Sequence, residues 1–295
     1  MPKKFKTNFG SNIAAIQRAK SLKYRRSIYE RAFGGKGMEF DSYRNLTPDD
    51  DAALIDWKAS ARANELIVKQ YVEERNLDVY FAVNVSNSML FGSKDILKSE
   101  YAIDLILTFS HLVLGSGDNI GLVMFTDHFV KVIPASKNIK QFNLFIKFLT
   151  EPELYGGNTD FGKIVNNMLN FTKSSSMLIL ISDFIHLKKG FEKELKFLAH
   201  KCETMAIMVR DKMDEELPDI PCQMVVQDPF SKNQMLIEPQ LVADKYKENA
   251  LLQKNAVKKI FRESNIDILE LSTDKPFIMP LMNFLKERTR RRRYG

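Results

Sequence analysis

The sequence predicts an α/β protein with a doubly wound, mostly parallel sheet. From Leu77 onward, apolar segments of strand length alternate with helical segments of ten or more residues. Residues 177–182 are almost continuously apolar, as expected of a parallel strand that is covered on both faces. In such sheets ligands bind beyond the carboxyl ends of the strands, at the point where the strand order changes.

The elements are predicted in chain order from these patterns. The first strand leads into a long helix, which Gly115 and Gly117 end. A tight turn at Asp127 and His128 separates the next two strands. Strands are predicted at 77–84, 120–125, 129–133, 177–182, 204–209 and 266–271, with a hairpin at 222–238. Helices are predicted near 94–114, 138–150, 160–173, 190–200 and 240–263, followed by a final helix.

Charge and hydropathy suggest three regions. Residues 1–76 form a basic N-terminal extension with a signature segment, 77–285 the α/β domain, and 286–295 a basic C-terminal tail. Of the net charge of +7, residues 1–36 carry +9 and residues 286–295 carry +5, which leaves −7 for the rest. An acidic body with basic ends predicts electrostatic contacts at the ends rather than a basic groove in the body.

Composition indicates a cytoplasmic protein. No apolar run reaches the roughly 18–20 residues of a membrane span. The N-terminus lacks the apolar segment of a secretory signal. Cys202 and Cys222 are the only cysteines and do not form a Cys-x-x-Cys pair, so we expect a reducing compartment.

Oxygen-bearing side chains follow three predicted elements at one edge of the sheet. Asn84, Ser86 and Ser88 follow the first strand, Thr159 follows a Gly-Gly loop, and Asp183 ends a buried strand. Hard oxygen ligands suit Mg²⁺ or Mn²⁺ better than zinc, so we expect a metal site here. The simpler alternative is that Ser-x-Ser caps the next helix.

At these residues the chain resembles the von Willebrand factor A domain over about residues 77–210. The resemblance implies a metal-ion-dependent adhesion site in which Ser86, Ser88 and Thr159 bind the ion directly and Asp183 binds it through water. It also implies an open coordination position for an acidic group of a partner. Asn84 occupies the position of an expected Asp, and this loss of charge leaves metal binding an open question.

The segment ahead of the first strand resembles the signature of the domain-of-unknown-function 58 family. The matching positions are Gly37, Met38, Glu39, Phe40, Arg44, Pro48, Asp50 and the run 55–62. Leu46 and Asp49 depart from the pattern, and the Arg expected before the Ile-Asp-Trp element is absent. The resemblance implies an accessory protein that acts with a MoxR-type AAA+ ATPase, or on its client, in assembling or remodelling complexes.

Asp56, Trp57 and Arg62 allow two interpretations within this segment. In one, the Trp docks on the sheet and an Asp–Arg pair holds the segment in place. In the other, the three residues form a partner-binding patch, since Trp and Arg are enriched in interface hot spots. Asp160 is a further candidate for partner binding, and beside Thr159 it also restores some of the negative charge that Asn84 lacks.

Other functions have less support from the sequence. There is no Gly-x-Ser-x-Gly motif and no phosphate loop with Walker spacing, and the four histidines are scattered, so we expect no enzyme activity. The basic run at 290–293 suggests, as an alternative function, electrostatic docking to nucleic acid or to an anionic membrane surface. Nucleic acid is the less expected of the partners because stacking aromatics are scarce near the run.

Overall fold

The computed structural model describes residues 4–8, 10, 39–47, 55–63, 65–72, 77–188 and 190–294. The chain divides into two units, Phe33–Asn76 and the combination of Met1–Ala32 with Leu77–Gly295. Of the basic segment 1–36, only residues 4–8 and 10 are among the described residues.

The smaller unit pairs two antiparallel strands and carries one short helix. Its elements are β1 (Glu39–Asn45), α1 (Trp57–Ala63) and β2 (Ile67–Val72). The Asp56 carboxylate caps α1 by accepting the backbone N–H groups of Lys58 and Ala59, both at 3.1 Å. Ser60 ties the helix to β2, because its hydroxyl accepts the Ile67 N–H at 2.9 Å.

The larger unit contains a six-stranded sheet and a separate hairpin. Its strands are β3 (Asp78–Asn84), β4 (Asn119–Phe125), β5 (Phe129–Ser136), β6 (Ser176–Ser182), β7 (Glu203–Arg210), β8 (Met224–Gln227), β9 (Gln234–Ile237) and β10 (Asp267–Ser272). The order in the sheet is β10-β7-β6-β3-β4-β5. All neighbours are parallel except β5, which pairs antiparallel with β4. β8 and β9 form the hairpin.

Helices flank this sheet. They are α2 (Lys98–Ser116), α3 (Ile139–Leu149), α4 (Phe161–Phe171), α5 (Glu192–Lys201), α6 (Pro239–Glu263) and α7 (Ile278–Tyr294). Side chains alternate along β3: Phe81 packs against Phe109 of α2 and Phe145 of α3, whereas Ala82 joins the buried cluster on α4, α5 and α6. The predicted α/β class, with a mostly parallel sheet flanked by helices, is therefore confirmed.

The first long helix begins four residues later than predicted. α2 starts at Lys98 because the Glu100 side chain accepts the Leu97 N–H at 3.1 Å, which closes the first turn there. The loop before the helix is bound to another part of the fold instead, because the Ser93 N–H donates to the Asp211 carboxylate at 3.1 Å. The helix ends as predicted, with Gly117 in the left-handed region at φ 89°.

The basic segment 286–294 continues α7 rather than leaving the fold as a tail. Arg288 donates to Glu203 at 2.6 Å and to Asp267 at 2.8 Å, and Arg291 also donates to Asp267 at 2.8 Å. Both acids begin strands, β7 and β10, so this end of α7 is fixed at the amino ends of the strands. Across the described ranges, every helix is too short or too polar to cross a bilayer.

Two acids of α2 hold the start of the described chain. Glu100 accepts the Lys6 N–H at 2.9 Å, and Asp104 accepts the Asn8 N–H at 2.9 Å. Burial raises the pKa of Asp104 to about 6; the neighbouring Glu100 adds to the rise and the Asn8 N–H opposes it. Because the folded pKa lies above the unfolded value of 3.8, this group weakens the fold as the pH rises from about 4 to 6.

Asp104→Asn is therefore expected to remove one pH-dependent loss of stability. Relative to the variant, the wild type should lose thermal stability as the pH rises from 4 to 6.5, since only the wild type ionises a buried carboxyl there. Melting temperatures at half-unit pH steps measure this difference. The exposed Asp95→Asn is the matched control and should follow the wild type. Parallel pH profiles for wild type and Asp104→Asn would contradict the assignment.

Candidate functional site

The predicted site residues converge at the switch in strand order. After β3 the chain adds β4 and β5 on one side, and β6 then pairs with the other side of β3. The loops that follow β3 and β6 therefore leave the sheet in opposite directions, and Asn84 and Ser182 are the last residues of these strands.

The loop after β3 is joined to the Gly-Gly loop by backbone hydrogen bonds. The Gly156 N–H donates to the Val85 carbonyl at 2.7 Å, and the Asn87 N–H donates to the Gly157 carbonyl at 3.0 Å. Gly156 and Gly157 have φ values of 131° and 81°, in a region that favours glycine. These contacts bring Thr159 beside the end of β3.

Asn84 connects the three segments through its side-chain amide. Its Oδ1 accepts the Ser86 N–H at 2.9 Å and the Thr159 hydroxyl at 3.2 Å. Its Nδ2 donates to the Ser182 hydroxyl at 3.0 Å. The side chain is buried, so each of these contacts satisfies a polar group that water does not reach.

The two serines of the Ser-x-Ser run are buried and contact each other. Their hydroxyl oxygens lie 3.2 Å apart. Ser86 is fully buried, and Ser88 reaches the cleft that the three segments enclose.

The chain reverses sharply after Asp183. Phe184 adopts φ 51°, a left-handed conformation that costs a non-glycine residue on the order of 1–3 kcal/mol. Its N–H donates to the Ser182 hydroxyl at 3.2 Å, and its carbonyl accepts Gln253 Nε2 at 2.7 Å. These two bonds hold the turn that directs Asp183 into the end of the sheet.

A fully buried lysine occupies the centre of this end of the sheet. Lys98, the first residue of α2, places its Nζ 2.8 Å from Asp183 Oδ2 and 2.9 Å from Asp214 Oδ2. Its side chain is 1% exposed. Asp214 is oriented by the Asp211 N–H, which donates to the same Oδ2 at 2.9 Å.

These contacts change the proton affinities of all three groups. Burial opposes the charged form of Lys98, but the two carboxylates raise its pKa. Burial also acts to raise the pKa of Asp183, but Lys98, the Ser88 hydroxyl and Arg210 hold it below its usual value. At Asp214 burial prevails over Lys98 and the pKa is raised. Asp183 and Lys98 therefore form a buried ion pair at neutral pH.

The hairpin tip forms one wall of the cleft. Phe230 lies edge-on to the His186 ring, with centroids 4.6 Å apart, and Asn87 Nδ2 donates to the Pro229 carbonyl at 3.1 Å. The cleft is lined by Asn84, Ser88, Thr159, Phe161, Ser182, Asp183, Phe184, Ile185, His186, Leu187 and Phe230. It combines a polar floor with an aromatic wall.

Sequence comparison matches residues 42–256, more than two thirds of the chain, to a family described as protein of unknown function DUF58. The chain belongs to the DUF58 family. Uncharacterized proteins of Mycobacterium bovis and Mycobacterium tuberculosis are each 26% identical to this DUF58 chain over 260 residues, covering 87% of it and 81% of their own length.

A solved structure shares the fold of this DUF58 chain. The conserved hypothetical protein BatB from Bacteroides thetaiotaomicron aligns with a TM-score of 0.51 at 15% identity, over 73% of this chain and all of that one. At this identity the likeness concerns the fold alone.

The charges around the predicted donor set disfavour a divalent ion. The carboxylate of the predicted set, Asp183, is already paired with Lys98, and Asn84 adds no charge. A divalent ion bound to Asp183 through water, as the resemblance implies, would lie roughly 6–7 Å from the ammonium, and their repulsion is on the order of 5 kcal/mol at an effective dielectric of 20. No three or more His, Cys, Asp or Glu side chains group to hold a metal in the described ranges. The predicted ligands are mainly the hydroxyls of Ser86, Ser88 and Thr159, which do not belong to these four residue types, so the Mg²⁺ or Mn²⁺ site stays a prediction.

The remaining sequence candidates take separate positions. Asp160 caps α4, accepting the Lys163 N–H at 3.2 Å. Trp57 is 68% exposed on α1, so its ring does not dock in a core, and Arg62 is exposed on the same helix. Asp56 caps α1 and accepts the Tyr43 hydroxyl at 3.2 Å.

Sequence reasoning missed Lys98 and Asp214. Nothing in the pattern distinguishes Lys98 from the exposed Lys94 nearby. Asp214 had a usable signal, since the acids Asp211 and Asp214 follow a predicted parallel strand just as Asp183 does.

Lys98→Met should destabilise the fold by about 3–5 kcal/mol at pH 7, because it leaves two buried carboxylates without their cation. The deficit should shrink towards pH 5, where the variant's carboxyls take up protons. Urea unfolding at both pH values measures the change. Lys94→Met, at an exposed site in the preceding loop, is the control and should stay within about 0.5 kcal/mol of the wild type.

In the wild type, the contribution of Lys98 is complete below its unfolded pKa of 10.5 and is lost as the pH rises through the higher folded pKa. The contribution of Asp183 is present above 3.8 and is lost as the pH falls through its lowered pKa. An unchanged stability of Lys98→Met at pH 7 would refute the buried ion pair.

Proposed function

We propose that this protein is a non-enzymatic interaction module that binds an acidic side chain of a protein partner in the cleft beside Thr159. The larger unit then corresponds to a von Willebrand factor A-like domain with a degenerate adhesion site. The observation that carries the proposal is the convergence of three loops, after β3, before α4 and after β6, on one cleft at the switch point. Ligands of doubly wound sheets bind at this position.

The chemistry of the cleft supports binding rather than catalysis. The Ser88 and Thr159 hydroxyls line the cleft, and rotation away from their present acceptors, Asp183 and Asn84, lets them donate to a carboxylate. The Phe230 and His186 rings supply apolar surface around them. A nucleophilic serine needs a base within hydrogen-bond reach. The base beside Ser88 is the Asp183 carboxylate, but its pairing with Lys98 holds its pKa below the usual value, so it is a poor proton acceptor.

We propose a MoxR-type AAA+ ATPase, or a client of one, as the partner. Support for this class comes from the family resemblance of the segment 37–62 and of the strand-end motifs. The strand order, with a single antiparallel edge strand, is compatible with the implied von Willebrand factor A-like architecture.

The electrostatic alternative has less support. Arg288 and Arg291, which belong to the basic C-terminal segment, already pair with Glu203 and Asp267. Charges engaged within the fold contribute less to binding phosphates of nucleic acid or lipid.

Thr159→Arg is expected to weaken capture of the MoxR-type ATPase encoded in the same genome by about tenfold or more, because the long side chain fills the cleft. The matched control is Ser174→Arg, in the exposed turn before β6 at the opposite edge of the sheet, which should change capture less than about twofold. Biolayer interferometry with the purified ATPase measures both. Equal affinities of the two variants would remove the cleft from the proposed interface.

Trp57→Ala tests the smaller unit as a second contact. Trp57 is 68% exposed beside the exposed Lys58 and Arg62, the composition of an interface hot spot. We expect an affinity loss of about tenfold or more with an unchanged melting temperature. Phe197→Ala on α5, at an aromatic residue 66% exposed, is the control. If Trp57→Ala binds like this control, the patch takes no part in binding.

A further inference from the structure

We propose that the ammonium of Lys98 acts as a built-in cation of this site and closes it to divalent metals. In sites of the type that the sequence resembles, a divalent ion neutralises the aspartate after the later strand. Here Asp183 has its positive partner within the chain, at 2.8 Å.

The placement of Lys98 is fixed by the fold. The residue begins α2, and its backbone N–H donates to the Phe91 carbonyl at 2.9 Å. Asp214 holds the ammonium from the other side at 2.9 Å and is itself oriented by the Asp211 N–H. With 1% of its side chain exposed, Lys98 has no alternative solvent position within this packing.

The state of Asn84 matches this assignment. A carboxylate at position 84 would add a negative charge that a divalent ion could balance. The amide of Asn84 adds no charge, so the charges of Asp183 and Lys98 balance each other. The amide also uses its Nδ2 as a donor to Ser182, a contact that a carboxylate cannot make. Asn84 and Lys98 together replace the charge pattern of an aspartate and a metal.

Arg210 and Asp211 complete the charges around the lysine. Arg210 donates to Gln253 at 2.6 Å, and its charge lowers the pKa of Asp183. Asp211 accepts the Thr273 hydroxyl at 2.9 Å and the Ser93 N–H at 3.1 Å. Lys98 and Arg210 thus offset two of the three carboxylate charges of Asp183, Asp211 and Asp214, and a divalent ion would exceed the single negative charge that remains.

The test is Mn²⁺ binding by the purified protein, with the free ion measured by electron paramagnetic resonance. We expect no binding to the wild type below millimolar Mn²⁺ and less than about tenfold gain in Asn84→Asp. The combination Asn84→Asp with Lys98→Met should gain about 100-fold or more, since it restores a carboxylate and removes the repelling ammonium. Adding Asp183→Asn to that combination should abolish the gain.

Two results would overturn the proposal. One is submillimolar Mn²⁺ binding to the wild type that Ser86→Ala removes. The other is an affinity of Asn84→Asp alone equal to that of the combination, because Lys98 would then not exclude the ion. Circular dichroism checks that each variant is folded. If the combination unfolds, adding Asp214→Asn lowers the excess negative charge, and the same comparison is made in that background. Partner capture is not part of this test, so its result is independent of the proposed function.

Discussion

The structure at the carboxyl end of the sheet depends on one buried ammonium, that of Lys98. Lys98 lies between Asp183 and Asp214, which follow different strands, while Lys98 itself begins a helix. A charge removed from water is tolerated only when partners surround it, so these three elements are required to meet at one point. Neighbouring polar groups are hydrogen-bonded around that point. The Asp211 N–H orients Asp214, and the Gln253 amide donates to the Phe184 carbonyl in the turn after Asp183.

The same constraint gives Asn84 a structural purpose. An amide is both donor and acceptor, and Asn84 uses both functions to join the ends of β3 and β6 and the Thr159 loop. Measured against a metal-site pattern the residue is a defect. Its hydrogen bonds, however, suit an amide. Beside the Lys98–Asp183 pair, which has no net charge, burying a neutral amide costs less free energy than burying another carboxylate.

Much of this was predictable from the chain. The period of the apolar residues fixed the strands around Phe81 and Leu180, and because parallel strands share one carboxyl edge, the convergence of Asn84, Thr159 and Asp183 followed. Lys98 was not predictable, since a lysine in a first helical turn usually faces solvent and only tertiary contacts turn it inwards. The basic C-terminal segment was predicted to be a tail for a related reason. The acids that pair with Arg288, Glu203 and Asp267, are distant in sequence, so the pattern does not reveal these ion pairs.

Arg288 and Lys98 mark opposite ends of the sheet. Arg288 pairs with the first residues of β7 and β10, whereas Lys98 pairs with acids that follow β6 and β7. The helix that carries Arg288, α7, therefore ends on the side of the sheet opposite the cleft. A tether joined to the end of this helix would leave the cleft facing away from the point of attachment, which suits studies of what the cleft binds.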